Sequence, residues 1–290
     1  MRNELNLWVA GGDMRQAKLA ELLAADGHTV HAYALERLGA LDGVEMEESL
    51  EGAALADCVV LPLPAAGEGS LLNAPLSGRK HPLALVLDAL RPGQVICAGM
   101  VGPQTAALAA DRGLTLHDYF AREELAVANA VPTAEGAIQL AMEELPITLH
   151  GARVLVIGYG RLGRVLADRL AGLKARVSVA ARRYADLAWA ENCGYGVEHT
   201  GQLEGWLCGY DLVVNTVPVR VLREAELADL KPGCLVIDLA SKPGGVDFDA
   251  AARLGVKAFW ALSLPGKVAP VTAGKSIKTT IYNILTELGV

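Results

Sequence analysis

The 290-residue chain has no uninterrupted apolar stretch near the ~18 residues that a membrane-spanning helix requires. It has no basic stripe, and its formal charge is −7. A sequence-independent grip on nucleic acid, or docking on anionic lipid, needs clustered Lys and Arg, so neither partner is expected. No charge run of one sign occurs, and 52% hydrophobic against 20% charged residues argues against disorder. The five cysteines (Cys58, Cys97, Cys193, Cys208, Cys234) contain no C-x-x-C pair and read as small core residues of a reduced protein. There is no H-x-E, no paired-His spacing and no G-x-S-x-G, which leaves metal and acyl-transfer chemistry without support. The opening residues, MRNELNLWVAGG, enter a strand pattern with no apolar h-region and no cleavage site; no secretion signal is expected, and the location expected is cytoplasmic.

What the chain does have is alternation. Leu5–Ala10, His28–Ala34, Cys58–Leu63 and Gln94–Ala98 read as strands, with Met14–Ala25 and Pro103–Arg112 as helices between them. This pattern predicts parallel βα units and an α/β fold. The second half repeats the plan: Val9–Gly12 answers to Val156–Gly160, Asp57–Pro64 to Asp211–Pro218, and Leu90–Ile96 to Leu230–Ile237. The expectation is two Rossmann-like, doubly wound domains flanking a cleft. Residues 1–130 would form the substrate domain and residues 150–270 the dinucleotide-binding domain. Residues 131–149 would be a connecting helix, with Ile138, Ala141, Met142 and Leu145 at helical spacing and Thr133 as N-cap. Residues 271–290 would be a final helix, with Ile277, Ile281, Ile284 and Leu288 on one face, packing back on the first domain.

The strand-like Arg153–Ile157 runs into Gly158-Tyr159-Gly160-Arg161-Leu162-Gly163, and Arg164–Leu170 reads as helix. At a strand-to-helix turn, G-x-G-x-x-G marks a dinucleotide site: one glycine for the turn, one for approach of the pyrophosphate, one for helix–strand packing. The next strand, Arg176–Ala180, ends at Ala181-Arg182-Arg183, where an NAD-preferring domain carries an acid. Arg182 and Arg183 therefore point to a 2′-phosphate and to NADP(H) rather than NAD, against the alternative of a solvated surface pair. Thr216, Val217 and Pro218 are expected to line the ribose, and Leu239 and Ser241 to lie near the nicotinamide. Ala269–Ser276 fits a loose P-loop pattern, but only fourteen residues follow Ser276, too few for the Mg²⁺-binding strand, so ATP is not the expected ligand. His117, next to Asp118, is a candidate base, with a surface histidine as the alternative.

Five segments carry a family resemblance: Gly11-Gly-Asp-x-Arg-Gln16, Asn129–Ile138, Ile147–Gly151, Ile237–Asp247 and Leu264–Pro270. Over nearly its whole length the chain resembles the dipicolinate synthase A-subunit family, and more distantly the D-2-hydroxyacid and alanine dehydrogenases. The resemblance implies NADP-dependent oxidation of a dihydrodipicolinate to dipicolinate in the mother cell of a sporulating bacterium, alongside the flavoprotein-like B-subunit of dipicolinate synthase. A second copy of the chain, as a homodimer, is also expected. A dicarboxylate substrate calls for cations. Lys242 and Arg15 are the candidates, Lys267 a third, each with an ordinary helix-face or loop side chain as the alternative. Thr133 and Glu135 would face the cleft. The competing readings are a hydroxyacid- or alanine-dehydrogenase-like oxidoreductase and a non-catalytic, NADP-binding partner protein.

Overall fold

Leu7, Val9 and Ala10 are wholly buried and Trp8 nearly so, which makes the first strand apolar on both faces, as a central strand of a parallel sheet must be. This strand is β1 (Asn6–Ala10). The computed structural model describes residues 4–290; residues 1–3, the start of the segment in which no secretion signal was expected, lie outside the described residues. The chain divides into two compact units, one of Met1–Asn129 with Pro265–Val290, the other of Ala130–Leu264.

The first unit holds β1, β2 (Thr29–Tyr33), β3 (Glu45–Glu47), β4 (Cys58–Val60), β5 (Val95–Ala98) and β6 (Leu116–Asp118), all parallel, in the order β3-β2-β1-β4-β5-β6. Its helices are α1 (Met14–Ala25), α2 (Leu83–Asp88) and α3 (Pro103–Ala110). A long helix, α4 (Glu123–Glu144), leads into the second unit. There β7 (Arg153–Ile157), β8 (Arg176–Ala181), β9 (Gly196–His199), β10 (Leu212–Asn215), β11 (Leu235–Asp238) and β12 (Lys257–Trp260) form a parallel sheet in the order β12-β11-β10-β7-β8-β9. Its helices are α5 (Arg161–Gly172), α6 (Tyr184–Asn192), α7 (Glu224–Ala228) and α8 (Phe248–Leu254); the chain then returns to the first unit with α9 (Leu264–Val268) and α10 (Pro270–Leu288). Both sheets have the doubly wound Rossmann order, with a topological switch point between the first and fourth strands of each.

The repeat seen in the sequence maps onto equivalent places. Asp57 accepts the Asn6 N–H at 2.8 Å, tying the start of β4 to the start of β1; Asp211 accepts the Arg153 N–H at 2.7 Å and ties β10 to β7 in the same way. Helix α10 buries Ile277, Ile281, Ile284 and Leu285 and packs on α1. Leu288, expected on that face, is exposed, and Leu285 takes its place. A Cβ on Gly274 would lie 3.0 Å from Arg15 O and Leu19 N, so the P-loop-like glycine serves a close helix–helix contact.

Three further expectations change. Helix α4 starts at Glu123 and runs through Pro132, so Thr133 is an interior residue and not an N-cap. Proline removes one backbone bond from a helix interior, while Glu123 and Glu124 favour the positive end and the buried Ala134, Ala137, Ala141 and Leu145 hold the packing face. Met142, expected on that face, is exposed. Of the cysteines, Cys58, Cys97 and Cys234 are buried, whereas Cys193 and Cys208 are exposed. Among the described residues no helix is long and apolar enough to cross a membrane.

Candidate dinucleotide and substrate sites

In the second unit each glycine of the turn after β7 has a different surrounding. Gly158 has φ +97°, and a Cβ there would sit 2.3 Å from Thr216 Oγ1. A Cβ on Gly163 would sit 2.0 Å from Gly158 O, so only glycine lets α5 pack this closely on the turn. At Gly160 nothing lies within 4 Å of the Cβ position. The protein's own packing does not require glycine there; the open space lies at the N-terminus of α5, which has no side-chain cap. Uncapped N–H groups and the helix dipole together suit an anionic pyrophosphate. Thr216 Oγ1 donates to Ile157 O at 2.8 Å, placing Thr216 and Val217 against Gly158 at the sheet's carboxyl edge; Pro218, next in the chain, is exposed. Tyr159 is buried, with Tyr195 edge-on at 6.4 Å and the Arg164 guanidinium 5.2 Å over its ring, and burial raises its hydroxyl pKa. Arg161 is exposed, and Leu162 packs against the core of this unit.

At the end of β8 the two arginines differ. Arg183 is held bidentately by Asp186 at 2.7 and 2.9 Å, whereas Arg182 is exposed and makes no ion pair among the described residues. His199 Nδ1 accepts the Gly201 N–H, which leaves Nε2 to donate to Arg182 O at 3.1 Å. Tyr184, highly exposed, stacks on the His199 ring at 5.6 Å. An exposed cation beside an open aromatic face thus follows β8, with no acid between Arg176 and Tyr184.

A feature that sequence reasoning missed joins the neighbouring strands. Asp238, wholly buried at the end of β11, accepts Asn215 Nδ2 at 2.7 Å, Ala240 N at 3.0 Å, Gly245 N at 2.7 Å and Val246 N at 3.2 Å. Asn215 in turn bonds both the N–H and the carbonyl of Val217. A Cβ on Gly245 would fall 2.2 Å from Asn215 Nδ2, so the Ser241–Gly245 turn lies directly on β10. This network brings Thr216, Val217, Leu239, Ser241 and Lys242 to one edge. Leu239 is buried; Ser241 and Lys242 are exposed, and Lys242 makes no hydrogen bond or ion pair among the described residues.

In the first unit the Gly11-Gly12-Asp13 turn occupies the switch point of its own sheet. Asp13 caps α1 through the Arg15 N–H at 3.0 Å and also receives Arg15 Nε and Nη2, the latter at 2.8 Å. Arg15 Nη2 donates as well to Leu63 O at 2.9 Å. Arg15 is therefore largely buried and already partnered; its other terminal nitrogen, Nη1, makes no hydrogen bond among the described residues. Beside it, Gln16 Nε2 donates to the Tyr119 hydroxyl at 2.9 Å, and that hydroxyl donates to Leu61 O at 3.0 Å. Gly266 abuts the pair, a Cβ there lying 3.0 Å from Arg15 Nε, which explains Leu264-Pro-Gly-Lys and places the exposed Lys267 next to it.

The remaining candidates are not gathered with these. His117 lies on the edge strand β6, three strand spacings or roughly 14 Å from β1. Asp118 is not its partner, since the Asp118 carboxylate accepts the N–H groups of Met100, Val101 and Phe120. Glu135 is exposed on α4, 3.4 Å from Arg169 Nε, and Thr133 is half-buried two residues before it.

Residues 6–120 match the family model for the N-terminal domain of the dipicolinate synthase A-subunit. Residues 105–250 match that of the D-isomer-specific 2-hydroxyacid dehydrogenase NAD-binding domain. The chain is 32% identical to the dipicolinate synthase A-subunit of Bacillus subtilis (strain 168), over 99% of this chain and 98% of that protein. The crystal structure of the dipicolinate synthase A-subunit from Bacillus halodurans is similar with a TM-score of 0.90 at 30% identity, covering 97% of each chain. An L-alanine dehydrogenase structure shares the fold alone, with a TM-score of 0.68 at 16% identity over 98% of this chain and 91% of that one. The second unit is accordingly an NAD(P)-binding domain of dehydrogenase type.

Proposed function

Since this chain belongs to the dipicolinate synthase A-subunit family, we propose that it oxidises a dihydrodipicolinate to dipicolinate with NADP+. The observation that carries the cofactor choice is the end of β8: a free Arg182 and a neighbouring Arg183, with no acid, follow a G-x-G-x-x-G turn whose middle glycine faces open space. An acid at this position would bond the ribose hydroxyls and repel a 2′-phosphate, whereas a guanidinium attracts one. When bound, NADP+ would supply the hydride acceptor, its nicotinamide ring. The substrate loses that hydride and one proton, two electrons in all, and becomes an aromatic pyridine dicarboxylate.

The chain's own residues bind and orient. Gly160 and the first turn of α5 hold the pyrophosphate, Thr216 and Val217 the ribose, and Leu239 and Ser241 flank the nicotinamide. Lys242, held at this edge by the Asp238 network and free of other partners, meets a substrate carboxylate. In the first unit Arg15 offers Nη1, and Lys267 is the next cation. Aromatisation is downhill, so a strong base is not demanded, consistent with a His117 that has no carboxylate partner in Asp118. The family setting adds the flavoprotein-like B-subunit, homodimer formation and a cytoplasmic role in sporulation.

The test supplies the purified chain with the aldolase product of aspartate semialdehyde and pyruvate, and follows reduced cofactor and pyridine absorbance together. Equal appearance of both with NADP+ is expected. Cofactor binding without turnover, restored only by the flavoprotein-like partner, would reassign the chain as incompetent alone; no turnover in either case would refute the reaction.

A further inference from the structure

At the outer edge of the first sheet, three side chains converge that the proposed reaction does not use. We propose that His31, Glu45 and Glu47 form a binding site for a divalent transition-metal ion of the zinc class. Strands β2 and β3 run parallel with His31 opposite Glu45 and Tyr33 opposite Glu47. Side chains alternate along a strand, so His31, Glu45 and Glu47 share one face. His31 Nδ1 lies 2.8 Å from Glu47 Oε1 and 3.3 Å from Glu45 Oε2, and the three donor atoms all lie within 4.8 Å of one another.

The imidazole is fixed from behind. Trp8, opposite His31 on β1, stacks on it at 4.9 Å with 21° between the rings. The charges are uncompensated: among the described residues neither Glu45 nor Glu47 pairs with Lys or Arg, and both turn to the same imidazole. A divalent cation would neutralise them. The spacing fits. Tetrahedral bonds of about 2.0–2.1 Å put donors roughly 3.3 Å apart; the Glu45 contact already has this length, and the Glu47 contact needs to open by about half an ångström. One imidazole with two carboxylates suits zinc better than an all-oxygen calcium site. The Glu45 side chain is 67% exposed, so the ion has a path in and solvent can complete the coordination. Binding would tie the three-residue edge strand β3 to β2.

The experiment uses the full chain, stripped with chelator, with the exposed thiols of Cys193 and Cys208 alkylated so that they supply no ligand. Titration with ZnCl2 in a calorimeter should show one equivalent bound, and the chain's Tm should rise with zinc. Glu45→Gln, at the most exposed of the three positions, and His31→Gln should each lower the affinity at least tenfold and remove the Tm response, with circular dichroism confirming a folded chain. Absence of saturable binding by the parent, or one equivalent held at unchanged affinity by either variant, overturns the site. Dinucleotide binding is read separately, so failure here leaves the cofactor reading untouched.

Discussion

Two glycines three residues apart make opposite predictions. Gly163→Ala places a Cβ 2.0 Å from Gly158 O, backbone against backbone, with no flexible side chain to yield. Overpacking of this kind costs about 1–3 kcal/mol, and the upper end applies because neither the turn nor α5 can shift alone. In a unit the size of Ala130–Leu264 that corresponds to a Tm lower by roughly 5–10 °C. Gly160→Ala meets no atom within 4 Å. Its cost is the weaker N-cap preference of alanine, about half a kcal/mol and thus roughly 2 °C. Its effect is expected on the ligand: the methyl group would fill the open space proposed for the pyrophosphate, and NADP+ affinity should drop at least tenfold. Thermal melts by circular dichroism and fluorescence titration with NADPH read the two quantities independently. A Gly160→Ala variant that binds like the parent, or a Gly163→Ala variant with an unchanged Tm, would refute the assignment of roles within the turn.

Further outcomes concern single side chains. Arg182→Ala should weaken NADP+ binding more than tenfold, the scale of a charge-assisted hydrogen bond, and leave NAD+ unchanged in the same titration; equal loss of both would remove the 2′-phosphate role. Lys242→Ala should raise the substrate KM or slow hydride transfer without moving the Tm, since the side chain is exposed; unchanged kinetics would drop it from the site. Burial alone would raise the Glu36 carboxyl, but hydrogen bonds from Ser77 Oγ and the Gly78 N–H, with Arg79 nearby, hold its pKa down at about 2. A depressed native value means stabilisation that is full above the ordinary 4.5 and is lost as pH falls from there towards 2. Melting temperature against pH should therefore decline more steeply for the parent than for Glu36→Gln over that window, and parallel curves would contradict it.

The central strands were legible because they are buried on both faces and read as apolar runs: Leu7–Ala10, Cys58–Val60, Val154–Ile157 and Leu212–Val214. The outermost strand on each side of both sheets, β3, β6, β9 and β12, was not. Each has three or four residues, such as Glu-Met-Glu in β3 and Leu-His-Asp in β6, and exists because a neighbour offers a backbone ladder. The start of α4 was hidden by Pro132-Thr133, which imitates a helix start in a segment that packing keeps helical on both sides. The turn after β7 was legible because packing at Gly158 and Gly163 admits only glycine. Arg15 was visible as a candidate cation, but its pairing was not, although Asp13 two residues earlier was the signal. Asp238 went unassigned for want of a spaced partner. Its clue was a carboxylate inside the apolar Val236–Ala240, which requires hydrogen bonds if buried, with Gly244 and Gly245 shortly after to bring backbone within reach.

The proposed NADP(H) site places the 2′-phosphate at the end of β8 in the second unit. The direct measurement is equilibrium titration of NADPH and NADH into the purified chain, followed by displacement with adenosine 2′,5′-bisphosphate and with 5′-AMP. One saturable site per chain is expected, with tighter binding of NADPH than of NADH and displacement by the bisphosphate at concentrations where AMP has no effect. Equal affinity for the two cofactors, equal displacement by the two fragments, or no saturable binding would contradict it.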